Sequence, residues 1–223
     1  MITILGTSHI SKRSSQEVRE AMQHSDIVAL ELDAGRVQGL LQHKQATFKE
    51  LRQALGLKAA VMASVMRSLQ EKLAKDVNVL PGVEMRTALQ AAIEQQKPIV
   101  LIDRDIGVTL KRLSKAFGWR EIWQLVKDLR PRRIPVHPGD DLVLQLLTEL
   151  KERYPRIYTV MVSERDKHMA ELLVRLQHEQ QDKSILVIVG KAHVPGMTQQ
   201  INYINRHVPV AVWSSPGKKY ARS

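Results

Sequence analysis

Residues 184–196 read SILVIVGKAHVPG, an apolar segment followed by a glycine and, three residues later, a histidine. The apolar residues Ile185 to Val189 are mostly β-branched, which is typical of a strand buried on both faces of a parallel sheet. Pro195 stands where a helix can begin, because the N–H that proline lacks has no helical partner in a first turn. The segment therefore predicts a strand, a glycine turn, a histidine and a helix, in that order.

The N-terminus repeats this order. Ile2 to Leu5 form a short apolar segment, and Gly6-Thr7-Ser8-His9 follows it. In both GxxH turns we expect the glycine to let the backbone turn sharply, so that the histidine faces a pocket. His9 and His193 are therefore candidates for one shared site.

Two further apolar segments, 27–30 and 99–102, read as buried strands that end in pairs of carboxylates. The pairs are Glu31 with Asp33, and Asp103 with Asp105. Residues two apart in an extended segment share a face. Since ligands of open parallel sheets bind at the carboxyl ends of the strands, we expect these carboxylates to meet the two histidines there.

The alternation of strands with helical patterns predicts an α/β fold with a mostly parallel central sheet flanked by helices. A length of 223 residues fits a single domain, 1–223. We expect a helical insert after the second strand, at about residues 47–80. Apolar residues have helical spacing from Thr47 to Val77 with a break at Gly56. This insert is our candidate surface for a homodimer.

The composition limits which metal ligands the chain can supply and indicates its cellular compartment. The chain has no cysteine, which excludes disulfides and thiolate metal ligands, so a metal would need His, Asp, Glu or water. The first strand begins at Ile2, which leaves no room for a signal peptide. No apolar segment approaches the roughly 18 residues of a membrane span. We expect a cytoplasmic protein without a transmembrane segment.

The net charge of +11 indicates attraction to polyanions such as nucleic acid or anionic lipid. The densest basic segment is Arg130 to Arg133. Aromatic residues make up only 4% of the chain, which leaves little material for stacking bases. No helix-turn-helix or other nucleic-acid motif is present, so the sequence disfavours nucleic acid as the partner.

Two imidazoles and nearby carboxylates suit a divalent metal such as Zn, Mn or Co. A bound metal would lower the pKa of its water to near neutrality. Arg36, Arg104 or Arg112 could hold a substrate carboxylate or a developing oxyanion. The residues also allow a metal-free alternative, in which His9 acts as general base, held by Glu31 or Glu84.

Six short motifs, in order along residues 2 to 197, resemble the TraB/PrgY family of pheromone-shutdown proteins. They are Gly6-Thr7-Ser8-His9-Ile10-Ser11, Glu31-Leu32-Asp33 with Arg36, Pro81-Gly82-Val83-Glu84-Met85, Ile102-Asp103-Arg104-Asp105-Ile106 with Thr109-Leu110-Lys111-Arg112, Glu164-Arg165-Asp166, and Val189-Gly190-Lys191-Ala192-His193 with Gly196. The family is related to the Tiki proteins, which are metal-dependent proteases of Wnt ligands. It is related more distantly to erythromycin-esterase-like and ChaN-like proteins.

The resemblance implies an α/β fold with both GxxH motifs and a glutamate at one site, and hydrolysis or sequestration of a peptide. His9, His193 and Glu31 are the implied metal ligands. The implied catalytic residues are Glu31, Glu84, Arg104 and Arg112, and the implied substrate-binding residues are Arg36, Asp103, Asp105, Glu164 and Arg165.

Three hypotheses follow from the sequence. The first is a metal-dependent hydrolase, peptidase-like, with Glu31 or Glu84 as general base or remaining metal ligand. The second is a non-catalytic module that sequesters a peptide or small molecule in the same pocket. The third is a surface-binding protein in which Arg130 to Arg133 meet nucleic acid or anionic lipid.

Overall fold

The structure, a computed structural model, describes residues 1–7, 12–42, 46–77, 83–128, 142–204 and 210–212. The chain divides into two compact units. The first comprises Met1–Leu32, Gly82–Asp103 and Glu164–Ser223, and the second comprises Asp33–Pro81 and Arg104–Ser163. The single domain expected over residues 1–223 stays a prediction.

Five strands form one sheet in the first unit. They are β1 (Ile2–Thr7), β2 (Ile27–Leu30), β3 (Ile99–Leu101), β4 (Ile185–Gly190) and β5 (Val210–Val212). Their order is β3-β2-β4-β1-β5, and every pairing is parallel. β4 lies at the centre, and its residue Ile185 is in register with Ile2 of β1 and Ile27 of β2. All strands therefore present their carboxyl ends at the same edge.

Helices connect and flank these strands. They are α1 (Lys12–Gln23), α2 (Ala34–Gln42), α3 (Phe48–Leu55), α4 (Leu57–Val77), α5 (Val83–Glu94), α6 (Ile106–Ala116), α7 (Trp119–Asp128), α8 (Leu142–Arg153), α9 (Pro155–Tyr158), α10 (Glu164–Glu179) and α11 (Val194–Ile204). A π-helical turn, Thr159–Ser163, joins α9 to α10, and a 3-10 turn, Lys191–His193, joins β4 to α11. The predicted α/β class with a parallel sheet flanked by helices is confirmed.

The core of the first unit lies between the sheet and the pair α10 and α11. Val187 and Val189 of β4 are fully buried, and they belong to one apolar cluster with Met169 and Leu173 of α10 and Met197 of α11. Burying such side chains stabilises the fold by about 1.5–3 kcal/mol each. This packing fixes the first turn of α10 near the end of β4.

The second unit is helical and includes the expected insert. The predicted helical stretch from Thr47 to Val77 is present as α3 and α4, and it breaks at Gly56 as expected. Thr47 and Glu50 form a capping box at the start of α3. Gly56 has a φ of +89°, a conformation that side chains disfavour. The core of this unit includes Met62, Leu113 and other apolar side chains.

The structure differs from the sequence-based expectations at a few boundaries. The third strand ends at Leu101 rather than Ile102. Between Pro155 and Glu179 the chain is helical throughout, with the π-helical turn lying just before α10. Within the ranges that the structure describes, every helix is too short or too polar to cross a membrane.

Candidate functional site

Three polar side chains meet at the carboxyl edge of the sheet in the first unit. Glu31 directly follows β2, Asp103 follows β3 by two residues, and His193 ends the 3-10 turn after β4. Because β2 lies between β3 and β4, these three strand ends are neighbours. All three residues are buried, with exposed fractions of 8%, 9% and 6%. Buried polar groups of this kind require partners.

Arg165, in the first turn of α10, supplies the central cation of this cluster. Its Nε donates to Asp103 Oδ1 at 2.9 Å and its Nη2 donates to Asp103 Oδ2 at 2.7 Å. The same Nη2 donates to Glu31 Oε1 at 2.5 Å. A bidentate guanidinium–carboxylate pair fixes both distance and plane. Arg165 therefore holds the ends of β2 and β3 together.

His193 contacts a carboxylate through each ring nitrogen. Its Nδ1 lies 2.5 Å from Asp166 Oδ1, and its Nε2 lies 3.3 Å from Glu31 Oε1. Nε2 is also 3.2 Å from Arg165 Nη1. The other oxygen of Glu31 accepts the backbone N–H of Gly190 at 2.7 Å. Glu31 is thus held at both oxygens, with Oε1 directed toward the imidazole.

Burial disfavours the charged forms of Arg165 and His193, but the neighbouring carboxylates favour these charged forms more strongly. Burial lowers the pKa of Arg165, but Glu31 and Asp103 raise that pKa above its ordinary value. Burial also lowers the pKa of His193, whereas the charge of Glu31 and hydrogen bonds to Asp166 and Glu31 raise it to about 9. Burial raises the pKa of Asp166, against the opposing effect of His193.

Gly6 and Gly190, the glycines of the GxxH segments, both lie close to neighbouring side chains. Gly190 has φ −59° and ψ 140°, a backbone conformation that any residue can adopt. A Cβ at Gly190 would instead lie 3.3 Å from Glu31 Oε2, and a Cβ at Gly6 would lie 2.6 Å from Val194 Cγ2. At both positions the hydrogen of glycine leaves room for a neighbouring side chain, and at Gly190 the backbone itself does not require glycine.

Several of the predicted site residues belong to the second unit. Arg104 donates from Nε to Thr109 Oγ1 at 3.2 Å and from Nη2 to the carbonyl of Val160 at 3.1 Å. Asp105 caps α6 by accepting the N–H of Val108 at 3.2 Å. These contacts stabilise the start of α6, and the catalytic and substrate-binding roles of both residues stay predictions.

Two further arginines of the second unit lie on helices. Arg36 lies in α2, where its backbone N–H donates to Asp33 Oδ1 at 3.0 Å and its Nε lies 3.9 Å from Asp33 Oδ2. Arg112 is exposed on α6. Their expected roles in holding substrate or an oxyanion stay predictions.

Other predicted residues are placed only in part. Glu164 is half-buried at the start of α10, beside Arg165. Glu84 is the second residue of α5, and its side chain lies outside what the structure describes. His9 and Arg130 to Arg133 lie outside the described residues. The structure thus brings together Glu31, Asp103, Arg165 and His193 of the predicted set.

Asp166 is a member of the cluster that the sequence analysis did not assign. Its place beside Arg165 in the Glu164-Arg165-Asp166 motif is the one sequence signal that pointed to it, and the structure buries both residues. Among the described residues, no group of three or more His, Asp or Glu has an arrangement that could hold a metal ion. Glu31 and His193 are the two expected metal ligands that the structure describes.

A family model for the TraB/PrgY/gumN family matches residues 1–207 of this chain. The chain belongs to the TraB/PrgY/gumN family. This confirms the resemblance drawn from the six motifs. The match includes both GxxH segments and all residues of the buried cluster.

Full-length relatives of this TraB-family chain are longer than it is. An uncharacterized protein of Methanocaldococcus jannaschii is 30% identical over 215 residues, which cover 90% of this chain and 53% of that protein. TraB domain-containing proteins of Bos taurus and Homo sapiens are 27% and 26% identical, and each alignment covers 88% of this chain and 61% of the relative. The chain therefore spans about half to three fifths of the length of these relatives.

Among solved structures, the chain is similar to ChaN of Campylobacter jejuni, which was solved in a study of cofacial haem binding. The TM-score is 0.39 and the sequence identity is 15%. The superposition covers 95% of this chain and 79% of that chain.

Proposed function

We propose that this TraB-family chain is a metal-dependent hydrolase that acts on a peptide, with the buried cluster of the first unit as its site. One observation carries the proposal. His193 Nε2 and Glu31 Oε1 lie 3.3 Å apart at the ends of adjacent parallel strands, where ligands of open α/β sheets bind. The peptide substrate is inferred from the resemblance to the Tiki proteases.

His193 and Glu31 supply two of the ligand types that a divalent ion takes in proteins. An imidazole nitrogen and a carboxylate oxygen are ligands that Zn²⁺ and Mn²⁺ accept, and these two lie 3.3 Å apart. Glu31 keeps its orientation because Gly190 holds its second oxygen. Glu31 and His193 would hold the ion together with His9, the third ligand expected from the sequence.

When bound, a divalent ion would lower the pKa of a water molecule and polarise the scissile carbonyl. The protein's own side chains would orient the substrate and transfer protons. With Glu31 as a ligand of the ion, Glu84, the other glutamate expected from the sequence, would be the general base. Arg165 would favour negative charge that develops near Glu31, because its guanidinium stays protonated and is fixed by Asp103.

Hydrolysis of a quenched-fluorescence peptide library, with Mn²⁺, Co²⁺ or Zn²⁺ added, tests this proposal. We expect cleavage with at least one ion, reduced about 100-fold or more in Glu31→Gln and His193→Ala. His178→Ala is the matched control, because His178 is exposed at the end of α10. Lack of cleavage with every ion, or equal cleavage by wild type and Glu31→Gln, would overturn the proposal.

One observation favours the second candidate, a non-catalytic module that sequesters a peptide or small molecule. The guanidinium of Arg165 lies 2.5 Å from Glu31 and 3.2 Å from His193 Nε2, so a permanent cation already stands between these two donors. In such a module Arg165 would bind an anionic group of the ligand. Peptide binding without turnover that weakens in Arg165→Met, measured on protein that thermal melts show to be folded, would support it. The cytoplasmic location and the homodimer stay predictions from the sequence.

A further inference from the structure

We propose that Asp166 is a positioning residue that fixes the imidazole of His193, and that Gly196 is required because only glycine leaves room for the Asp166 carboxylate. The part of this inference that concerns metal affinity rests on the proposed function. The part that concerns the orientation of the imidazole does not.

The contact between Asp166 and His193 is short and inaccessible to water. Asp166 Oδ1 lies 2.5 Å from His193 Nδ1, and the two residues have exposed fractions of 3% and 6%. Asp166 lies in the first turn of α10 and His193 directly precedes α11. These two helices pack against each other in the first unit. The ring is therefore held from its Nδ1 side by a rigid element.

This contact determines which nitrogen faces the site. A carboxylate accepts a hydrogen bond but cannot donate one when ionised, so Nδ1 keeps its proton and donates it to Asp166. Nε2 is then the nitrogen directed at Glu31 and Arg165. A carboxylate behind a histidine typically fixes both its tautomer and its ring plane, and increases its strength as a metal ligand.

Gly196 makes this arrangement possible. A Cβ at position 196 would lie 1.9 Å from Asp166 Oδ2 and 2.8 Å from its Cγ, but 3.4 Å from its Cβ. The first two distances leave no room for a side chain at position 196 while the Asp166 carboxylate keeps its contact with His193. The third is an ordinary contact, so an alanine at position 166 would remove the conflict. His193 and Gly196 are one helical turn apart and are linked through Asp166.

Four variants separate positioning from packing: Asp166→Asn, Asp166→Ala, Gly196→Ala and the double variant Asp166→Ala/Gly196→Ala. We measure Co²⁺ affinity by absorption titration and the His193 Nδ1 proton by NMR in metal-free protein, assigned by its loss in His193→Gln. Gly118→Ala is the matched control, because a Cβ there would have its nearest neighbour at 3.6 Å. Thermal melts establish that each variant is folded.

We expect Asp166→Asn and Gly196→Ala to bind Co²⁺ about 10–100-fold more weakly than wild type. Both should lose the hydrogen-bonded Nδ1 proton signal or shift it to higher field. The double variant should bind Co²⁺ as Asp166→Ala does, because the conflict with Gly196 requires the carboxylate. Gly118→Ala should match wild type in both measurements.

The outcomes distinguish this inference from the proposed function. If wild type binds no Co²⁺ but shows the Nδ1 proton, and Asp166→Asn and Gly196→Ala disturb it, the proposed function fails and the positioning role stands. If Asp166→Asn keeps both wild-type affinity and the wild-type proton signal, the positioning role is overturned. If the double variant binds Co²⁺ far more weakly than Asp166→Ala does, the role of Gly196 is overturned. Should Gly196→Ala not fold, the isosteric Asp166→Asn still decides the role of Asp166.

Discussion

Arg165 is the residue on which the buried cluster most depends. Its guanidinium contacts two buried carboxylates, Glu31 and Asp103, with side-chain exposed fractions of 9% and 2%. Removal of one partner from a buried ion pair is strongly destabilising, because the remaining charge stays in a poorly solvated place. The cluster is therefore part of the stability of the first unit as well as its candidate site.

Replacement of Arg165 by methionine should lower the free energy of unfolding by about 3–5 kcal/mol. Urea denaturation of the purified protein measures this change. Arg175→Met is the matched control on the same helix, since Arg175 is exposed, and should change the free energy by less than about 0.5 kcal/mol. Equal effects of the two substitutions would show that the Arg165 contacts contribute little.

The raised pKa of His193 makes stability depend on pH. The imidazole has a pKa of about 9 in the folded protein, against 6.5 when unperturbed, so the folded state binds more protons between these values. Its stabilising contribution is fully present below pH about 6.5 and is lost as the pH rises through about 9.

We expect the free energy of unfolding to fall by about 3 kcal/mol from pH 6 to pH 10 on account of this group. Urea unfolding at several pH values, compared between wild type and His193→Gln, isolates it. The decline should be smaller in the variant. A parallel decline in both proteins would mean that His193 gains no proton on folding.

For single residues, the sequence predicts most of the buried cluster. It does not predict the contacts of Asp166 with His193 and Gly196. Glu31, Asp103 and His193 can be found because each follows an apolar strand, and parallel strands share an edge. Asp166 and Gly196 follow no strand, and their pairing depends on the packing of α10 against α11. No local pattern encodes that packing.

At the element scale, the break between α3 and α4 gives a direct test of the backbone. Gly56 has φ +89° and ψ 164°, in a region that is essentially restricted to glycine. Gly56→Ala should destabilise the protein by about 1–3 kcal/mol in urea denaturation. Gly118→Ala, at a comparable junction between α6 and α7, should be near neutral, as no positive φ is required there. A neutral Gly56→Ala would contradict the observed backbone.

The helices also show which features the sequence pattern predicts and which it does not. The helical spacing of apolar residues predicts α3 and α4 and their break at Gly56. The π-helical turn Thr159–Ser163 was not predicted, because it contains neither glycine nor proline and its residues are compatible with an α-helix. Such turns often occur near functional sites, and this one immediately precedes Arg165 and Asp166.

At the scale of the whole molecule, chain order and spatial order differ. The first unit is assembled from three separate segments, so the core around β4 combines residues far apart in sequence. The strand order β3-β2-β4-β1-β5 cannot be read from the sequence, because each apolar strand is compatible with several neighbours. The parallel direction could be predicted, because helices connect the strands.

The most direct test of the proposed metal site is the metal content of the purified chain, measured by mass spectrometry after dialysis against Mn²⁺, Co²⁺ and Zn²⁺. The proposed site predicts about one divalent ion per chain. That ion should be lost in Glu31→Gln and His193→Ala and retained in His178→Ala. A wild-type chain that retains no ion, or one whose ion persists in both Glu31→Gln and His193→Ala, would contradict the proposed metal site.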